Sequence, residues 1–183
     1  MPITTQEGLS LEFDCIPYTG ADSCYIGCTI STGRRQYFRF DRYQPGAIVY
    51  GRGYTYCAAT DLATTEIGVS SVDDDNLNHV VVRFGDYNGN RSAGCTWFGY
   101  TATGTRTDAL SAVGDPMYLF GNTASGERGT FGKVAAYNAS DSLIMFLIPC
   151  KRTSDNVLGY YDAVSKTFLT NVGTGSFTAG PNI

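Results

Sequence analysis

The sequence predicts an all-β domain, two antiparallel sheets closed as a jelly-roll sandwich, and three observations predict it. Glycine at 22 positions supplies turns, while tyrosine at 13 and phenylalanine at 10 supply residues that favour strands. Strand-length runs, alternating or continuously apolar, recur between clusters of turn-forming residues. No long amphipathic run has helical spacing, so helix is expected to be scarce. A chain of 183 residues is one domain by length, with about 70% of its unfolded surface buried on folding. Residues 1–183 contain no internal repeat or change of composition that would mark a linker.

The elements follow in order. Leu9, Leu11, Phe13 and Cys15 alternate with Ser10, Glu12 and Asp14, the pattern of a half-buried strand. Tyr18 to Asp22 reads as a turn, and Cys24, Ile26 and Cys28 share one face of a second strand. Gln36 to Phe40 is a third. Ala47 to Tyr50 and Tyr54 to Ala58 flank Gly51-Arg52-Gly53, which predicts a hairpin there. After the polar loop Asp73-Asp74-Asp75-Asn76, His79 to Phe84 is the clearest β run in mid-chain, followed by the turn residues Asp86 to Asn90. Thr96 to Tyr100 and Met117 to Gly121 read as strands, and Thr101 to Pro116 between them as a surface connection. Lys133 to Asn138 and Leu143 to Ile148 form a hairpin across Asn138-Ala139-Ser140-Asp141. The second of these runs is continuously apolar, which predicts a central strand buried on both faces. Tyr160 to Val164 and Lys166 to Leu169 make another hairpin across Ser165, and Gly173-Thr174-Gly175 supplies the freedom of a tight turn. About a dozen strands result, enough for two sheets at the usual ~10 Å spacing.

The last third carries a resemblance. Ile148-Pro149-Cys150-Lys151-Arg152, then Asn156 to Asp162, then Thr170-Asn171-Val172-Gly173-Thr174-Gly175-Ser176-Phe177 resemble the end of laminin-G-like, concanavalin A-like modules. Such modules occur in phage tail and virion proteins and in gut-bacterial surface proteins. In that family a strand ends in a Pro-Cys/Val-basic corner, a Gly-Leu/Tyr-Tyr-Asp hairpin follows, and an Asn-x-Gly-Thr-Gly-x-Phe segment closes the sandwich. The resemblance covers Leu119 to Pro181, and His79 to Asn90 is similar to the family's central strand and turn. Relatives usually open with an extra edge strand, whose place residues 1–8 or a neighbouring chain would take. The resemblance implies a non-catalytic binding module of a phage virion: a tail fibre, receptor-binding or capsid decoration protein that recognises glycans or other bacterial cell-surface ligands. The partners it implies are a cell-envelope component, other virion proteins and copies of the chain itself, as in a homotrimer. The location it implies is the virion, assembled in the host cytoplasm, with the bacterial cell surface as alternative. A purely structural virion subunit is the second reading and a glycoside hydrolase of the same fold the third.

Composition narrows the chemistry. With 13 basic against 17 acidic residues the formal net charge is −4, which disfavours a phosphate-backbone partner, so nucleic acid is not expected. No stretch reaches the ~20 apolar residues of a membrane span, and residues 1–6 lack the basic start and apolar centre of a signal peptide. Six cysteines contain no Cys-x-x-Cys pair and read as free, mostly buried thiols. Glu12-Phe13-Asp14 matches the first half of a Glu-x-Asp-x-x-Glu glycosidase pattern, but Pro17 stands where the second glutamate belongs. His79 is the single histidine and no Gly-x-Ser-x-Gly elbow accompanies it, so a structural role is expected. No transition-metal spacing is present, and Asp73 to Asn76 offers calcium only a run of hard ligands without EF-hand spacing. The chain is therefore expected to be no enzyme and to carry no cofactor.

Sugar binding needs an aromatic face against C–H bonds and planar polar groups for paired hydrogen bonds. Tyr50, Arg52, Tyr54 and Tyr56 interleave the two, Tyr87 and Asn88 add an aromatic and an amide, and Trp97 is the single indole. These seven are the expected ligand contacts. Asn90-Arg91-Ser92 and Asn138-Ala139-Ser140 also match the glycosylation acceptor pattern, read here as coincidence.

Overall fold

A computed structural model of the chain describes residues 3–16, 25–31, 34–43, 50–57, 60–68, 77–84, 92–97, 99–105, 114–119, 130–171 and 176–180. Among them it is all-β, with no helix. The strands are β1 (Leu9–Ile16), β2 (Tyr25–Ser31), β3 (Arg34–Tyr43), β4 (Tyr50–Cys57), β5 (Thr60–Gly68), β6 (Asn78–Phe84), β7 (Ser92–Trp97), β8 (Tyr100–Thr105), β9 (Tyr118–Leu119), β10 (Thr130–Tyr137), β11 (Leu143–Lys151), β12 (Leu158–Asp162) and β13 (Thr167–Leu169). They form an eight-stranded sheet in the order β13-β12-β11-β10-β1-β6-β7-β8 and a five-stranded sheet in the order β5-β4-β3-β2-β9. Every pairing is antiparallel.

The alternation of β1 is what builds the core. Leu9, Leu11, Phe13 and Cys15 are buried, and the register Leu11↔Val82 and Leu11↔Ala136 brings the inward rows of β6 and β10 beside them. Ile26 and Phe38 of the second sheet join the same cluster, and Phe13 meets Phe38 edge-on at 5.6 Å and Phe131 at 5.5 Å between ring centroids. One core therefore serves both sheets, and aromatic edge contacts add to simple area burial. The segment before β1 is pinned to both sides. Thr5 and Ile3 exchange backbone hydrogen bonds with Gly114 to Met117, and the buried Gln36 amide both accepts from the Gln6 N–H at 3.0 Å and donates to the Gln6 carbonyl at 2.7 Å.

Four expectations are corrected. Gly51-Arg52-Gly53 is no hairpin turn: it lies inside β4, with Gly51 opposite Arg42 and Ile67, and Gly53 opposite Phe40 and Thr65. Pairing on both sides overrides the turn preference of glycine. Thr101 to Thr105 is not connection but β8, which folds back on β7 with Trp97 opposite Tyr100 and Gly99 at φ +77°. The apolar run of β11 is not buried on both faces: Met145 and Leu147 are, whereas Ile144, Phe146 and Ile148 are half-buried. That strand also continues through Pro149, which is tolerated because pairing with β10 ends at Val134↔Leu147 and leaves one side of β11 open. The hairpins β10–β11 and β12–β13 form as expected. Of the cysteines, Cys15 and Cys150 are free thiols, and Cys15 is buried.

Candidate functional site

Because β1 buries its odd-numbered side chains, Glu12 and Asp14 belong to the outer face of the eight-stranded sheet. Register with the neighbours sets what surrounds them. Ala135 of β10 stands beside Glu12, His79 of β6 beside Asp14, and Phe146 of β11 beside Ala135. The result is an open depression of about 180 Å³ lined by Glu12, Asp14, His79, Lys133, Tyr137 and Phe146.

A β-bulge shapes one end. Pairing of β1 with β10 shifts between Phe13 and Cys15, opposite Gly132 and Lys133, and such an irregularity re-aims the side chains it carries. The fit is close, because a Cβ on Gly132 would sit 3.1 Å from the Asp14 Cβ and require it to give by a few tenths of an ångström. Lys133 is exposed at the same place.

Each carboxylate has its own partner. The His79 Nδ1 lies 3.0 Å from Asp14 Oδ1, an exposed pair whose contribution is small and screened by salt. On the other side the Tyr137 phenol donates to Glu12, and burial first, then the negative charges of Glu12 and Asp141, push its pKa above the usual value, so it stays protonated. Glu12 and Asp14 are thus drawn toward opposite neighbours of β1 rather than toward each other. Glycosidic cleavage needs two carboxyl groups converging on one bond, and nucleophilic catalysis needs a hydroxyl or thiol beside the base. The lining contains no serine, threonine or cysteine. What the arrangement offers is an apolar floor, half-buried Phe146 and buried Ala135, rimmed by donors and acceptors.

The expected ligand contacts divide. Tyr50, Arg52, Tyr54 and Tyr56 occupy alternate positions of β4, in register with Tyr43, Asp41, Arg39 and Tyr37 of β3. Arg52 stands in register between Asp41 and Glu66, and Tyr54 between Arg39 and Thr64. Trp97 belongs to the other sheet, opposite Val80. Tyr87, Asn88 and the run Asp73 to Asn76 lie outside the described residues. Among the described residues no group of three or more His, Cys, Asp or Glu could hold a metal ion. Asn138 is a turn residue: its side-chain carbonyl accepts from the Ser140 and Ser142 amides, both at 3.0 Å. Lys133, Tyr137 and Phe146 were not singled out from sequence; their signal is that each falls on the outward parity of its strand.

Comparison with protein-family models, with curated proteins and with solved structures finds no match to this chain.

Proposed function

We propose that the protein is a non-catalytic binding module of a phage virion, a concanavalin A-like jelly-roll sandwich that holds a glycan or another bacterial cell-surface ligand. The observation that carries this reading is that Tyr50, Arg52, Tyr54 and Tyr56 fall at alternate positions of one paired strand, β4. In a strand, positions two residues apart recur every ~6.6 Å, a spacing at which three aromatics and a guanidinium would suit successive sugar rings. The separate partners of Glu12 and Asp14 favour holding over cutting. A glycan array probed with the intact chain and with the double variant Arg52→Ala, Tyr54→Ala tests it. Binding lost in the double variant supports the site; binding that survives removes it.

One observation favours the structural reading as well. Leu143, Tyr161 and Val164 are 45%, 39% and 43% exposed, an apolar set at the β11–β13 side that other virion proteins or further copies of the chain would cover. No binding to any glycan or host cell, together with a trimer in light scattering, would favour assembly over recognition.

A further inference from the structure

We infer that the depression on the outer face of the eight-stranded sheet is a second saccharide contact, selective for a neutral sugar and built from Glu12, Lys133, Tyr137 and Phe146. The inference rests on the glycan reading above but places a ligand on the other sheet, on residues that reading does not use. A pyranose presents C–H bonds on its faces and hydroxyls, each both donor and acceptor, around its edge. The depression answers both. Phe146 is half-buried on β11 and lines the depression, and Ala135 beside it in register is small. Around that floor Glu12 accepts, Lys133 donates, and the Tyr137 hydroxyl, whose proton goes to Glu12, accepts.

Two features suit it to binding in place. Four adjacent strands carry the lining, and sites on strands hold geometry better than sites on loops. Glu12 is already held by Tyr137 and Asp14 by His79 at 3.0 Å, which lowers the ordering cost on association. Selectivity comes from charge. The two carboxylates face one ammonium, so an anionic sugar is repelled whereas a neutral one meets charge-assisted acceptors.

The test is titration calorimetry of the intact chain with cellohexaose, maltohexaose and chitohexaose, and with polygalacturonate as the anionic probe. Wild type is compared with Lys133→Ala, Glu12→Gln and the double variant Arg52→Ala, Tyr54→Ala, each checked for folding by circular dichroism. Lys133 is exposed, so its variant keeps the fold and the test stands even if another variant does not. We expect a neutral oligosaccharide to bind about tenfold more weakly to Lys133→Ala and to Glu12→Gln, the scale of one lost charge-assisted hydrogen bond. The double variant is expected to retain this contact. Neutral-sugar binding unchanged in both Lys133→Ala and Glu12→Gln overturns the inference and leaves the β4 platform standing, as does wild-type binding to polygalacturonate alone. Absence of binding to any of the four sugars overturns the inference together with the glycan reading beneath it.

Discussion

The Asp162 carboxylate, buried at the end of β12, accepts a hydrogen bond at 3.0 Å from the backbone amide of Phe146 on β11. The same carboxylate takes the Val164 amide at 3.1 Å, the Ser165 amide at 3.3 Å and the Ser165 hydroxyl at 2.5 Å, while Phe146 returns its carbonyl to the Ala163 amide at 2.9 Å. One side chain thus closes the β12–β13 turn and ties it to the strand that carries the floor of the depression. A charge so placed is tolerated because its lone pairs are satisfied.

Asp162→Ala is expected to cost about 2–4 kcal/mol, since it leaves the Phe146 amide and the turn amides without an acceptor. Chemical denaturation measures it, with Asp162→Asn as the variant that keeps one oxygen.

Acid sensitivity follows from the same group. Burial opposes ionisation of Asp162, but hydrogen bonds from the Ser165 hydroxyl and from the Phe146, Val164 and Ser165 amides outweigh it and hold the carboxyl below its ordinary 3.8. A folded value below the unfolded one stabilises the fold above pH 3.8, and that stabilisation fades as pH falls through the lower folded value. The stability gap between wild type and Asp162→Asn should therefore be constant near neutrality and narrow below pH 3.8. A gap that widens in acid contradicts the assignment.

Gly159→Ala is expected to loosen β13. A Cβ there would overlap the Leu169 carbonyl and come within 2.8 Å of the Phe168 ring, and a backbone atom cannot step aside as a flexible side-chain end can. Faster hydrogen exchange at Leu169, with the Leu11 amide unchanged, is the expected signature.

Phe13→Ala removes a ring that spans the two sheets and should cost about 3–5 kcal/mol. Lys133→Ala, on the outer face, should leave the unfolding free energy within about 0.5 kcal/mol of wild type. Guanidinium titrations of both variants check the contrast; a comparable loss from the two would mean that the core does not lie between the sheets.

The parts legible in the sequence were those fixed by local pattern. The strict alternation from Leu9 to Cys15 gave β1 and its buried face, and the Asn138 to Asp141 cluster gave the β10–β11 hairpin. Where local chemistry and pairing disagreed, pairing won: Gly51 and Gly53 lie in a strand because β3 and β5 flank them. β5 went unread because Thr60 to Gly68 holds few large apolar residues, and β8 because Thr101 to Thr105 is composed of small ones. The depression was illegible for a different reason. Glu12 and His79 were each noticed alone, but β1 lies between β6 and β10, so the site exists only through pairings far apart in the chain.

The most direct test of the central claim, that the molecule holds a sugar without cutting it, is one incubation read twice. Intact chain is mixed with a neutral oligosaccharide that it binds on the array, and bound ligand and newly released reducing ends are both followed. The account predicts saturable binding with no reducing ends. Reducing ends that accumulate with the wild type and vanish with Glu12→Gln would contradict it.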